Sequence, residues 1–167
     1  MVELTPVVQE KLESIDRERA LALILPHPER SRPFNAYREL LRRAGLRLTR
    51  QRVMLGRLLY SKGNRHVTAE ALHHEAINAK IPVSLATVYN TLHQFTEAGL
   101  LREIGVAGSK AFFDTNSKDH HHFFIEDEEL LIDIPNEDMK VDYLPEVPLA
   151  FEIACIQIVV RLRRKNG

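Results

Sequence analysis

Three consecutive histidines, His120, His121 and His122, are the densest run of metal-ligating side chains in the sequence. A neutral imidazole nitrogen is a common ligand of divalent cations and a common axial ligand of haem iron. Consecutive side chains of an extended backbone point to opposite faces, so His120 and His122 would share one face and His121 the other. Phe123, Phe124 and Ile125 follow directly and offer apolar cover for a porphyrin. Three readings are therefore open: a haem site, a divalent-metal site, or a surface cluster of imidazoles without a ligand. Other histidines carry less. His27 lies between Pro26 and Pro28 as a further imidazole, while His73, His74 and His93 fall on helix faces as surface residues. The single cysteine, Cys155, excludes an internal disulfide framework and a thiolate-only zinc site; it reads as a structural thiol in a buried strand.

A second group of side chains has the chemistry of base recognition. Between Ser84 and Ala98, Leu85, Val88, Leu92 and Phe95 recur at offsets of 3, 4 and 3, which puts them on one apolar stripe of a helix. The opposite face displays Ala86, Tyr89, Asn90, His93 and Glu97. A phenol, a carboxamide and an imidazole on one exposed helix face suit the edges of bases in a major groove.

Charge supports a polyanion partner. The whole chain is neutral, with 23 basic and 23 acidic residues, but residues 34–110 hold 12 basic and 5 acidic groups, a net of +7. Residues 111–167 hold 6 basic and 12 acidic groups, a net of −6. A basic surface binds nucleic acid by releasing counterions from phosphates.

The elements that must hold these groups follow from periodicity and capping. Thr5–Leu25 has helical spacing and stops at Pro26, so residues 1–33 form an amino-terminal extension with a helical arm. Helices are expected at Phe34–Ala44 (ended by Gly45), Thr49–Tyr60, Thr68–Ala79 and Ser84–Ala98, with Thr49, Thr68 and Ser84 as amino-terminal caps. Leu100–Ile104 and Ala111–Thr115 form a hairpin, the wing of a winged helix. From here the pattern changes to short strands, His121–Ile125 and Leu130–Ile134, flanking the acidic turn Glu126–Glu129. Asn136–Pro148 is irregular with one helical turn, and Phe151–Leu162 is a long apolar strand. The fold class is α+β: a winged helix-turn-helix domain over 34–115, then a small domain of short strands over 116–167. So small a sheet cannot cover both faces, which points to a homodimer.

The run Gly45-Leu46-Arg47-Leu48-Thr49-Arg50-Gln51-Arg52, then His66-Val67-Thr68-Ala69-Glu70, Ala86-Thr87-Val88-Tyr89-Asn90-Thr91-Leu92 and His120-His121-His122 together resemble the ferric uptake regulator family over residues 34–162. The triple histidine with Phe-Phe-Ile-Glu-Asp is most similar to the iron response regulator branch, whose members respond to haem. The resemblance implies a winged helix-turn-helix DNA-binding domain followed by a small α/β dimerisation domain, here 116–167 with the sensing histidines, and that Arg47, Arg50 and Arg52 contact the DNA backbone, with Arg57 as a further cation. It also implies that Thr87, Tyr89 and Asn90 lie in the major groove, where Tyr89 packs on a base. Ferric-sensing relatives commonly carry arginine where Asn90 stands, so their preferred base sequence does not carry over. The family's structural zinc site uses two Cys-x-x-Cys pairs and is absent. Its regulatory sites lose ligands too. His66 and His121 would share one, but the partner expected at position 123 is Phe123. His120 and His122 would share the other, yet no histidine follows residue 122. The amino-terminal Cys-Pro haem signal of some members of the branch is missing, because the single cysteine, Cys155, precedes Ile156.

The function these observations imply is a dimeric, sequence-specific transcription regulator of iron and haem homeostasis, binding an approximately palindromic double-stranded operator. Its cofactor would be haem held by His120, His121 and His122, with a haem-delivering protein as a further partner; the alternative is a regulator responsive to iron or manganese alone. An enzyme built on the histidines is disfavoured, because no nucleophile, base and orienting group converge in the sequence, and a winged-helix adaptor protein is the third class. No apolar run approaches the roughly 20 residues of a membrane span, so a cytoplasmic location is expected.

Overall fold

A computed structural model describes residues 2–4 and 34–164, apart from 107 and 109. The helical arm expected within residues 1–33 lies outside the described residues, save for Val2–Leu4. In chain order the elements are β1 (Val2–Leu4), α1 (Phe34–Arg43), α2 (Arg50–Tyr60), β2 (His66–Val67), α3 (Ala69–Asn78) and α4 (Leu85–Glu97). They continue with β3 (Arg102–Ile104), β4 (Phe112–Asp114), β5 (His121–Ile125), β6 (Leu130–Ile134), β7 (Met139–Val141) and β8 (Val159–Leu162). They divide into two compact units, 34–117 and 118–164, the latter including 2–4.

The first unit is built by local chemistry. Thr49, Thr68 and Ser84 each accept a hydrogen bond from the backbone N–H three residues on, which closes the first turns of α2, α3 and α4. Gly99 ends α4 at φ +69, a left-handed conformation natural for glycine. Lys80 takes the same role after α3 at φ +56, and the N–H of Ile81 then reaches back to the Ala76 carbonyl at 2.9 Å. These turns bring Leu41, Leu59, Leu72, Leu92, Phe95 and Phe113 into one core, each essentially inaccessible to water. Burying a side chain of this size stabilises by roughly 1.5–3 kcal/mol before entropy is set against it. The wing is a three-stranded antiparallel sheet in the order β2-β4-β3. Its edge strand His66–Val67 is too short to register as a strand in the sequence.

The second unit has a sheet in the order β6-β5-β8, with β6 antiparallel and β8 parallel to β5. One face of β5 presents Phe123 to Ile134, Met139, Ile132 and Val160. The turn Glu126–Glu128 is tied to the carboxy-terminal end of β8, because Arg161 and Arg163 pair with Glu126 and Arg164 with Glu128. Three expectations are corrected here. The long strand over Phe151–Leu162 is reduced to Val159–Leu162, since a strand persists only where a ladder partner exists and β5 offers positions His122–Ile125 alone. Cys155 accordingly lies outside any strand and is exposed rather than buried. Met139–Val141, read as irregular, pairs antiparallel with Val2–Leu4.

Candidate DNA interface and candidate metal site

In the unit 34–117, α3 and α4 are joined by residues 79–84 in a helix-turn-helix, with α4 followed directly by the wing. Val88, Leu92 and Phe95 are buried, while Ala86, Asn90, His93 and Glu97 on the other side of α4 are exposed. Thr87 is half-buried and its Oγ1 lies 2.9 Å from the Ser84 hydroxyl, within the cap of α4.

Tyr89 departs from its expected open position. It is half-buried, and its hydroxyl donates to Oε1 of Glu70, in the first turn of α3, at 2.8 Å. That hydrogen bond holds the Glu70 carboxyl below its ordinary value and, with some burial, pushes the Tyr89 phenol above its own. The Tyr89 ring stacks on His93 with centroids 6.3 Å apart. His93 in turn meets the edge of Phe113 and sets Nδ1 3.3 Å from Glu103. It is a member of an aromatic and charged array, not an isolated surface residue.

The arginines divide into two kinds. Arg47 and Arg50 are exposed, as is Arg57. Arg52 instead donates from Nε and Nη2 to Gln94 Oε1 at 2.9 and 2.6 Å, and from Nη1 to the Arg47 carbonyl at 2.8 Å. It ties α2 to α4 and to the segment carrying Arg47.

In the unit 118–164 the three histidines are buried, with exposures of 4%, 7% and 0% for His120, His121 and His122, which corrects the surface-cluster reading. Their alternation is as the strand demands. His120 and His122 lie together, ring centroids 4.5 Å apart, while His121 Nδ1 accepts the Ile158 N–H at 3.4 Å. Opposite His122 in the β5-β6 register stands Asp133. Its Oδ1 is 3.5 Å from His120 Nε2 and 3.8 Å from His122 Nε2. Ligand atoms of these three residues all fall within 4.8 Å of one another. The His120 ring is oriented for coordination: Nδ1 sits 2.7 Å from the Lys118 carbonyl, which can only accept, so Nδ1 donates there and, in the neutral ring, Nε2 is the nitrogen left to bind a cation. Two imidazoles and a carboxylate fit a divalent cation of the iron, manganese or zinc type.

His66 and His121, paired by the resemblance, belong to different units. Within the unit 34–117, His66 faces Asp114 across the β2-β4 register, Nε2 to Oδ2 at 3.7 Å. Asp133 and Asp114 are the residues that sequence reasoning missed. The available signal was an aspartate set in an apolar strand, Leu130-Leu131-Ile132-Asp133-Ile134 and Phe112-Phe113-Asp114.

A winged helix-turn-helix unit and a small sheet bearing a two-histidine, one-carboxylate group define the class: a DNA-binding fold with a group of side chains able to hold a metal ion. The profile of the ferric uptake regulator family matches residues 43–143, and the chain belongs to that family. It is 36% identical over 85 residues to the ferric uptake regulation protein of Shigella flexneri, covering 51% of this chain and 57% of that protein. It is 38% identical over 87 residues to the peroxide-responsive repressor PerR of Staphylococcus epidermidis, covering 52% and 57%. The match thus spans little more than half the length of these curated relatives. The ferric uptake regulator of Pseudomonas aeruginosa, solved with manganese, superposes with TM-score 0.61 at 28% identity over 78% of this chain and 98% of that one. The Vibrio cholerae ferric uptake regulator superposes with TM-score 0.61 at 21% identity over 75% and 98%, a likeness of fold.

Proposed function

We propose that this protein is a dimeric transcription regulator whose DNA binding responds to a divalent metal, and not an enzyme. The observation that carries the reading is the separation of roles on α4, where an apolar face is buried and Asn90 stays exposed beside the Tyr89 ring. Asn90 has the carboxamide that reads adenine in the major groove, and Tyr89 supplies a ring that packs on a base edge. Arg47 and Arg50 are the backbone anchors. Arg52 acts through its bonds to Gln94 and the Arg47 carbonyl, placing α4 and Arg47 relative to α2. The unit 118–164 forms the dimer contact, supported by exposed Tyr143, Leu149 and Phe151, the last at 73% exposure. A two-fold dimer then asks for an approximately palindromic operator.

His120, His122 and Asp133 would hold the cation, which when bound supplies charge neutralisation for Asp133 and a link between β5 and β6. Regulation requires these side chains to be arranged differently in the DNA-competent and incompetent states, because a ligand shifts an equilibrium only through differential affinity. A tenfold change in DNA affinity needs about 1.4 kcal/mol of coupling. The finer reading, membership of the iron response regulator branch with haem at His120–His122, draws support from the triple histidine and from Phe123 and Phe124. Asp133 between the two imidazoles favours the divalent cation.

The test is titration of the purified chain with Mn2+ and with haemin, followed by visible spectra, metal analysis and gel shift against a selected duplex. Stoichiometric Mn2+ with tighter DNA binding supports the metal reading; a Soret shift lost in a His120, His121, His122 triple alanine variant supports the haem reading; neither response contradicts both.

A further inference from the structure

We infer that Glu70 is a positioning residue for DNA sequence discrimination: its carboxylate holds the Tyr89 ring in the pose from which α4 reads a base. The inference rests on the DNA-binding reading above and assigns a role to a residue outside the recognition helix. Tyr89 is fixed at two points. Its hydroxyl donates to Glu70 Oε1 at 2.8 Å, and its face stacks on His93 at an interplanar angle of 21°. His93 is itself braced, edge-on to Phe113 at 5.6 Å and with Nδ1 near Glu103. The Tyr89 side chain therefore has its rotamer set before any DNA arrives, which removes an ordering cost from the bound state.

Glu70 is well placed to serve as the holding group. It lies in the first turn of α3 behind the Thr68 cap, where partial positive charge from the backbone favours a carboxylate. Its depressed carboxyl keeps it an acceptor throughout the neutral range. Because the one hydroxyl hydrogen of Tyr89 is engaged by Glu70, the phenol has no donor left for a base, and the held ring is the part assigned to base contact. Removing either end of the hydrogen bond should then have the same consequence, even though Tyr89→Phe keeps the ring.

The test uses the full chain with Mn2+ present, a duplex selected from randomised oligonucleotides by the wild-type protein, and a random-sequence duplex as reference. Glu70→Ala and Tyr89→Phe are each expected to lower the specific-to-random affinity ratio about tenfold, and the double variant to lower it no further, since contacting residues in one interaction are non-additive. Glu70→Gln, which keeps an acceptor oxygen, is expected to retain the ratio. Spectrophotometric titration, taken as the difference from Tyr89→Phe, should show the Tyr89 phenol falling toward its ordinary value in Glu70→Ala. A ratio unchanged in Glu70→Ala while Tyr89→Phe loses it would overturn the inference, because the hydroxyl would then be reading a base directly. Equal losses on both duplexes in Glu70→Ala would overturn it too, as a general effect on folding. A ratio unaffected by Tyr89→Ala would instead remove the proposed reading of α4 itself.

Discussion

The two units place their functional polar groups in opposite surroundings. In 34–117 the groups assigned to DNA contact, Arg47, Arg50 and Asn90, stand in water, while Arg52, Thr87 and Tyr89 are drawn partly under cover. In 118–164 the assigned groups, His120 and His122, are buried and converge on Asp133 at 3.5 and 3.8 Å. The difference teaches what each can sense. Exposed cations act through a long-range field that salt screens over roughly 8–10 Å. A buried pair of imidazoles beside a carboxylate acts over a few ångströms, is nearly insensitive to salt, and depends on whether a cation is present.

The sharpest way to break this contrast is to remove a buried ligand. His122→Ala is expected to weaken Mn2+ binding by at least about 100-fold, the upper end of what loss of even an outer-shell partner costs, measured by calorimetry. Salt dependence of DNA binding should stay as in the wild type. Next in size, Tyr89→Ala and Asn90→Ala should each cost about 1–3 kcal/mol of discrimination between the selected and random duplexes in gel shift. Metal affinity should be unaffected. Arg50→Ala is expected to weaken all duplexes alike and to reduce the slope of log K against log salt by about one, read from anisotropy titrations at several salt concentrations. Arg52→Ala should differ in kind, lowering thermal stability and discrimination together because Gln94 loses its donor.

A smaller effect links the contrast to pH. Burial pushes the Glu75 carboxyl up, but hydrogen bonds and charge from Arg65 outweigh it, with Lys62 assisting, and its titration lies below the ordinary value of 4.5. A folded-state carboxyl so lowered stabilises fully above the unfolded value and loses that contribution as pH falls through the folded one. Urea melts should therefore show wild-type stability falling as the pH drops below about 4.5, with Glu75→Gln less stable at pH 7 and flatter across that acid limb.

Legibility in the sequence followed the range of the interactions. Thr49, Thr68 and Ser84 announced their helices because a cap bonds only three residues away. The alternation of His120, His121 and His122 was equally local. Asp133 became a partner of His122 only through cross-strand register, which no local pattern encodes. The run 151–158 looked like strand on composition, but pairing depended on the length of β5, and among the described residues only Val159–Leu162 found a ladder. Glu70 escaped notice for the same reason, lying 19 residues from the tyrosine it holds.

The account stands most directly on one measurement: the affinity ratio of selected over random duplex, titrated with Mn2+ in the wild-type chain and in His122→Ala. The expected result is a ratio that rises at least about tenfold with Mn2+ in the wild type, equivalent to about 1.4 kcal/mol, and stays flat in the variant while binding to random DNA is retained by both. A wild-type ratio indifferent to Mn2+, or a His122→Ala chain that responds as the parent does, would contradict it.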